Sequence, residues 1–183
     1  MLQNGLKRLL GIEYPIIQGG MAHISTGAFA AAVSEAGALG TIATAARDGV
    51  YVREQIKAAR KLTKRPFSVN IMLANPYCKE IIDVVLDEGV SLVITGAGSP
   101  APYMKDFLSN GCKVISVVPH VRAAVKVEDL GVAAVVAEEA LDLLDAPIRR
   151  VTAPFTHIPF NRELENAMYP DRFRIAAAVR GIL

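Results

Sequence analysis

The sequence has only two cysteines, Cys78 and Cys112, and they stand far apart. That excludes a disulfide framework, and the spacing fits no zinc motif. Cys112 precedes an apolar run and reads as a small buried hydrophobe. No apolar stretch reaches the roughly 18 residues of a membrane span. Residues 1–11 are polar and basic, so no signal peptide is expected and the default location is cytoplasmic. An excess of one charge is missing too. Twenty basic and 18 acidic side chains leave a net charge of +2, spread along the chain. No nucleic-acid partner is expected from that balance. The densest basic group (Lys57, Arg60, Lys61, Lys64, Arg65) reads as a solvated helix face and loop. There is no H-E-x-x-H, no carboxylate cluster and no Ser/His/Asp arrangement, so no metal is expected.

What is present is an apolar fraction of 52% in 183 residues, enough for a buried core but short of a complete (β/α)₈ barrel, which needs about 250 residues. Continuous apolar, β-branched runs predict strands at Pro15–Gln18, Leu39–Ala43, Phe67–Met72, Ser91–Thr95, Lys113–Val118 and Ala133–Val136. Runs of this kind are buried on both faces, as in a parallel sheet. Their starts are spaced by roughly 20 to 28 residues, about one βα unit. Helical periodicity fills the gaps at 26–36, 52–62, 79–88, 101–109 and 120–130. In the first of these, Phe29, Ala32, Val33 and Ala36 form the expected core side. Gly37, Gly89, Gly111 and Gly131 each close a helix just before the next strand, where a left-handed C-cap is needed.

The fold class expected is therefore α/β, with a parallel βα-repeat sheet: a partial TIM (β/α)₈ barrel or an open sheet. The pattern breaks near residue 138. Residues 138–144 read as a helix, 148–152 as an extra C-terminal strand, and 153–160 as a loop. A final helix starts near Pro170-Asp171, with Phe173, Ala176, Val179 and Ile182 facing a core. The division is 1–138 and 139–183.

In parallel α/β folds, function sits at the strand C-termini. The first exit is Gln18-Gly19-Gly20-Met21, where glycines permit close approach of a planar ligand or simply make a tight turn. Asn70 is a carboxamide inside an apolar strand. It suits the polar edge of a heterocycle, or else satisfies backbone. Thr95-Gly96-Ala97-Gly98 leads into a helix N-terminus, an anion-friendly end, but lacks G-x-G-x-x-G spacing. His23 and His120 lie just beyond strand exits; His120 reads first as a cap and second as an acid or base. Glu138 is a carboxylate at the rim. His157 has no evident partner.

Residues 10–22, Leu-Gly-Ile-Glu-Tyr-Pro-Ile-Ile-Gln-Gly-Gly-Met-Ala, resemble the opening of the FMN-containing enoyl-acyl-carrier-protein reductases and their nitronate monooxygenase (2-nitropropane dioxygenase) relatives. Residues 66–73, 93–98, 117–119 and 134–138 resemble later motifs of the same family, in order. The resemblance implies a (β/α)₈ barrel binding FMN at its strand C-termini. Gly20 and Met21 would lie against the ring, Asn70 would bond its polar edge, and Thr95, Gly96 and Glu138 would line the pocket. It implies NAD(P)H as reductant of an enoyl thioester, or oxygen as oxidant of a nitronate. The family continues after Ala-Glu with a Gly-Gly-His segment carrying its catalytic histidine, then with phosphate-binding loops. This chain continues Glu139-Ala140-Leu141-Asp142. The catalytic residue is therefore unknown, with His23 and His120 the only candidates, and turnover is expected to be impaired or absent. Residues 138–154, with 158–160 and 164–165, resemble the C-terminal end of the beta subunit of the 2-oxo acid dehydrogenase decarboxylase component. The two resemblances together imply a chimera. Its alternative reading is a non-catalytic α/β fold without cofactor, whose open apolar face either accepts the tail or self-associates into a homo-oligomer. The 133–136 segment is strand in one parent and helix in the other.

Overall fold

A computed structural model describes residues 5–137, 151, 161–169 and 171–180. The chain divides into two compact units, Met1–Glu139 and Ala140–Leu183.

The first unit alternates helices and strands: α1 (Gly5–Leu10), α2 (Gly27–Glu35), β1 (Gly40–Ala43), α3 (Gly49–Leu62), β2 (Phe67–Met72), α4 (Cys78–Asp87), β3 (Leu92–Gly96), α5 (Ala101–Ser109), β4 (Lys113–Val118), α6 (Val121–Glu128) and β5 (Ala134–Ala137). The five strands form one parallel sheet in the order β1-β2-β3-β4-β5. Each strand pairs with the next in sequence and the order never reverses. Doubly wound sheets contain such a reversal, so this is the winding of a (β/α) barrel. The expected strand at 15–18 shrinks to a single parallel bridge, Ile17 to Leu39. Pro15 lacks an N–H to extend that ladder. The 134–137 segment is strand, paired in parallel with β4.

The sheet's two faces have different partners. Ile42, Val69, Ile71, Val93 and Val114 point at the helices and form the main core with Ile56, Ile81 and Phe107. Leu39, Leu92, Ile94 and Ile115 point the other way, into a smaller cluster with Leu10 and Ile12 at the end of α1. Cys112 is buried as expected, and burial pushes its thiol pKa up to about 11. That removes the thiolate that reactivity needs at neutral pH.

The helix C-caps are as the glycines predicted. Gly37, Gly89, Gly111 and Gly131 all have left-handed φ, between 59° and 94°. At the first three, paired bonds of the Schellman type close the helix; Gly37 donates to Ser34 O at 2.9 Å and Ala38 to Val33 O at 3.3 Å. The basic cluster is only partly a solvated face. Arg60 and Arg53 converge on the Glu88 carboxylate at 3.0 and 2.6 Å, tying α3 to α4. Arg65 meets Glu13 at 3.3 Å.

The core face of α2 corrects the sequence reading. Ala30, Ala31 and Ser34 are buried, while Phe29, Ala32 and Ala36 are exposed. The cause is close approach. A Cβ at Gly40 would stand 1.8 Å from Ala30 O, and one at Gly27 2.1 Å from Gln55 O. Only small residues fit where the backbones of α2, β1 and α3 nearly touch.

In the second unit, α7 (Arg162–Met168) is capped by Asn161 Oδ1, which accepts from Glu163 N and Leu164 N at 2.9 and 3.2 Å. The periodicity reading had missed this helix. The expected final helix is α8 (Arg172–Arg180), begun by Asp171 Oδ1 accepting from Arg174 N at 2.7 Å. Phe173, expected in a core, is 68% exposed with Arg172 stacked on its ring. Arg172, Arg174 and Arg180 interrupt any apolar stripe there. The helix expected at 138–144, the loop at 153–160, and all but Val151 of the strand at 148–152 lie outside the described residues. No helix among the described residues is long and apolar enough to cross a membrane.

Gly40→Ala should destabilise the fold by about 2 kcal/mol or more, because the new methyl meets backbone that cannot yield. Gly89→Ala meets nothing within 4 Å and should cost only the left-handed strain, about 1–2 kcal/mol. Denaturation midpoints of the two variants check the order.

Candidate functional site

One layer of side chains crosses the barrel-facing side of the sheet: Ala43, Asn70, Ile94, Ile115 and Ala134, aligned by register through all the strands. Asn70 is its one polar member. Its backbone carbonyl accepts the Thr44 hydroxyl at 2.8 Å. Its half-buried carboxamide makes no hydrogen bond to a described residue. Half-buried there, the carboxamide keeps a donor and an acceptor for solvent or a ligand. Above this layer, towards the strand C-termini, lie Met72 and Gly96, then Val117 and Val136. Met72, Val117 and Val136 are exposed.

The first strand exit is braced by Gln18. Its Oε1 accepts from Thr41 N at 2.8 Å, and its Nε2 donates to Ser25 Oγ at 2.8 Å. Ser25 Oγ in turn accepts from Met21 N at 2.9 Å. The brace lays Gly20 on Asn70: a Cβ there would stand 2.8 Å from Asn70 Cβ and 2.9 Å from its Cγ. Gly20, Asn70 and the exposed Met21 are therefore neighbours, on one side of the strand exits.

On the other side is a cleft of about 550 Å³ lined by Ala97, Gly98, Ser99, Val117, Val118, Pro119 and the α6 residues Ala123, Lys126 and Val127. Its walls are mainly apolar. Ala97 adopts φ 55°, and Gly98 packs on Leu73 so closely that a Cβ would stand 2.9 Å from Leu73 Cβ.

Gly96 borders this arrangement on the barrel-facing side, with room for a Cβ 3.7 Å from Val117 Cβ. Thr95 does not. Strand alternation turns it to the helix layer, where it is 1% exposed and its hydroxyl pairs with Ser116 Oγ at 3.0 Å. Glu138 lies outside the described residues. His120 caps α6, with Nδ1 accepting from Ala123 N at 3.1 Å, which is the capping role the sequence favoured. His23, at φ 65°, is exposed, and its Nδ1 lies 3.1 Å from Arg47 Nη2. Among the described residues no group of three His, Cys, Asp or Glu could hold a metal.

Two contributors went unnoticed in the sequence. Asn75 is a buried clamp in the Asn-Pro turn after β2, and that dipeptide is itself a turn signal. Arg47 carried no signal beyond following a strand exit.

Residues 3–82 match the nitronate monooxygenase family model. The nitronate monooxygenase of Pseudomonas aeruginosa PAO1 is 49% identical over 69 residues, which cover 38% of this chain and 20% of that protein. That of Paraburkholderia phytofirmans is 43% identical over 74 residues, 40% and 20% respectively. Among solved structures, FabK from Thermotoga maritima superposes with a TM-score of 0.71 at 43% identity, covering 72% of this chain and 42% of that one. Nitroalkane oxidase from Streptomyces ansochromogenes gives 0.66 at 26% identity, covering 73% and 48%. Over its N-terminal part the chain is thus similar in sequence to nitronate monooxygenases, and its α/β fold is similar to that of FabK. The matched segment spans a fifth of the length of these curated relatives and less than half of the solved ones.

Gly20→Ala should destabilise the fold by about 1–3 kcal/mol through overlap with Asn70. In an Asn70→Gly background the penalty should largely vanish. A double-mutant cycle by chemical denaturation reads the coupling; additive losses would show that the two residues do not touch.

Proposed function

We propose that this chain is an FMN-binding protein of the enoyl-acyl-carrier-protein reductase and nitronate monooxygenase type, with impaired or no turnover. The observation that supports it is the free Asn70 carboxamide beside Gly20, in an otherwise apolar layer at the strand exits. A carboxamide presents a donor and an acceptor side by side, as the polar edge of a flavin ring requires. Gly20 brings backbone against the same spot, and Met21, Met72 and Val117 offer apolar surface for the ring. FMN, when bound, supplies electron transfer between NAD(P)H and an enoyl thioester, or between a nitronate and oxygen. Asn70 would orient the ring, Gly96 and the exposed methionines would exclude water from it, and Glu138 belongs to the same expected lining.

The reading of weak turnover rests on the proton donor. No Gly-Gly-His occurs in the chain, and Glu138 runs on into Glu139-Ala140-Leu141-Asp142. His120 spends Nδ1 on a helix cap. Arginine can only donate, so His23 Nδ1 is the acceptor in the Arg47 contact. Neither histidine is thereby held against Asn70. We read residues 139–183 as derived from the decarboxylase-component beta subunit, joined to the barrel part as a chimera in the cytoplasm.

The purified protein should take up FMN on titration, followed by the shift of the flavin absorbance bands, and Asn70→Ala should weaken uptake about tenfold, the worth of one or two hydrogen bonds. A protein that never binds flavin would favour the second reading, a non-catalytic α/β chimera without cofactor. NAD(P)H oxidation with an enoyl thioester, and oxygen uptake with a nitronate, should both stay near background.

Exposure of Met72, Val117 and Val136 on one sheet face also supports a homo-oligomer. Light scattering should then show a mass that rises with concentration, and a fixed monomer mass would reject it.

A further inference from the structure

Arg47 is placed by its loop. Its N–H donates to Thr44 O at 3.1 Å. Its carbonyl and that of Thr44 accept both amide hydrogens of Asn75, at 3.1 and 2.9 Å. Asn75 is 4% exposed, and its Oδ1 accepts from Tyr77 N at 2.9 Å. The β1–α3 loop is thus clamped to the β2–α4 connection, with Ala46 held at φ 55° inside it. The guanidinium then lies 4.5 Å over the Tyr51 ring and donates to His23 Nδ1.

Among the described residues no acid cancels this charge. Arg53, Arg60 and Arg65 each meet a carboxylate, whereas no described carboxylate lies within ion-pair distance of Arg47. The nearest acids in the loop region are otherwise engaged. Asp48 Oδ1 accepts from Tyr51 N at 2.9 Å and Glu80 Oε1 from Gly49 N at 3.1 Å, both on the first turn of α3. The loop is tied to β2 as well, because Thr44, whose carbonyl accepts from Arg47 N, donates its hydroxyl to the backbone carbonyl of Asn70.

We propose that Arg47 and His23 form an oxyanion-binding rim at the βα end of the sheet, one that holds the phosphate of an incoming ligand or the oxyanion of a nitronate. The proposal rests on the flavin reading for what enters the site, though not for the anion binding itself. A guanidinium offers a planar fork of donors that fits an oxyanion, and stacking on Tyr51 fixes its plane. With Nδ1 accepting from Arg47, His23 Nε2–H is the second donor. An exposed cation–imidazole contact adds little stability, and left-handed φ at a histidine carries strain. A ligand that binds both groups accounts for what the fold does not need.

The test follows the ¹⁵N-labelled arginine side-chain signals of the full chain by NMR. Inorganic phosphate is titrated in one arm and propyl nitronate in the other. The Arg47 Nε–H signal should shift saturably, with a dissociation constant on the order of 1–10 mM. Arg47→Ala should abolish saturable binding. Arg47→Lys keeps the charge but loses the fork, and should weaken it about fivefold or more. Saturation by phosphate alone assigns the rim to a phosphorylated ligand, and by nitronate alone to the oxidised substrate; either supports the proposal. No saturable shift in either arm, or equal binding by folded Arg47→Ala, overturns it. Flavin uptake in phosphate-free buffer is read on the same samples. Uptake without an Arg47 response sinks this inference alone, and an Arg47 response without uptake sinks the flavin reading alone.

Discussion

The site hangs on one carboxamide. The first strand makes a single bridge to the sheet, Ile17 to Leu39, so no ladder fixes its exit. Gln18 takes over that task by accepting from Thr41 N and donating to Ser25 Oγ. Ser25 also receives Met21 N, so the turn closes around one hydroxyl. Without this brace Gly20 has no reason to lie on Asn70, since exposed backbone at 19–24 packs against little else. Each bond is worth about 1 kcal/mol net, yet together they replace a strand pairing.

That brace also explains the division of labour between the faces of the sheet. The helix-facing side is closed: Thr95 pairs with Ser116, and Phe107, Ile56 and Ile81 complete the core. The barrel-facing side is closed at the strand N-terminal end, by Leu10, Ile12 and the Thr41–Ser68 pair at 2.8 Å. Towards the C-terminal end it opens, first at Asn70 and then at Met72, Val117 and Val136. Along this gradient the described buried polar side chains are all hydrogen-bonded, and the half-buried Asn70 carboxamide bonds no described residue.

Much of the repeat was legible because its signals are local. Leu92-Val93-Ile94 and Val114-Ile115 are continuous apolar runs whatever surrounds them, and glycine at 37, 89, 111 and 131 is demanded by a single dihedral angle. Asn70 was legible as an anomaly in such a run. The core face of α2 was not. Phe29 and Val33 outweigh Ala30, Ala31 and Ser34 in any count of hydrophobicity, but the distance between backbones decides, and that distance is set by Gly40 and Gly27 from other elements. Thr95 failed for a related reason: the exit motif is read as a string, whereas strand alternation sends Thr95 and Gly96 to opposite faces. Arg47 was hidden because its placement comes from Asn75, well downstream.

The left-handed backbone positions show where the fold accepts strain. At the αβ end of the sheet the conformation falls on glycines 37, 89, 111 and 131, where it costs almost nothing. At the βα end positive φ falls on Gly98 but also on His23, Ala46 and Ala97, where each side chain costs about 1–2 kcal/mol. The two ends face the same geometric demand, a sharp turn between helix and strand, and glycine would meet it equally well at both. Strain persists only where surrounding bonds over-determine it, and those bonds are present: Asn75 holds the loop of Ala46, and Ser25 closes the turn that contains His23. A rigid, nearly strain-free end thus carries an end whose loops are held away from their own preferences. The strained loops are the ones that frame Asn70 and the cleft at Ala97, which is why those positions, rather than the better-capped helices, mark the candidate functional end of the sheet.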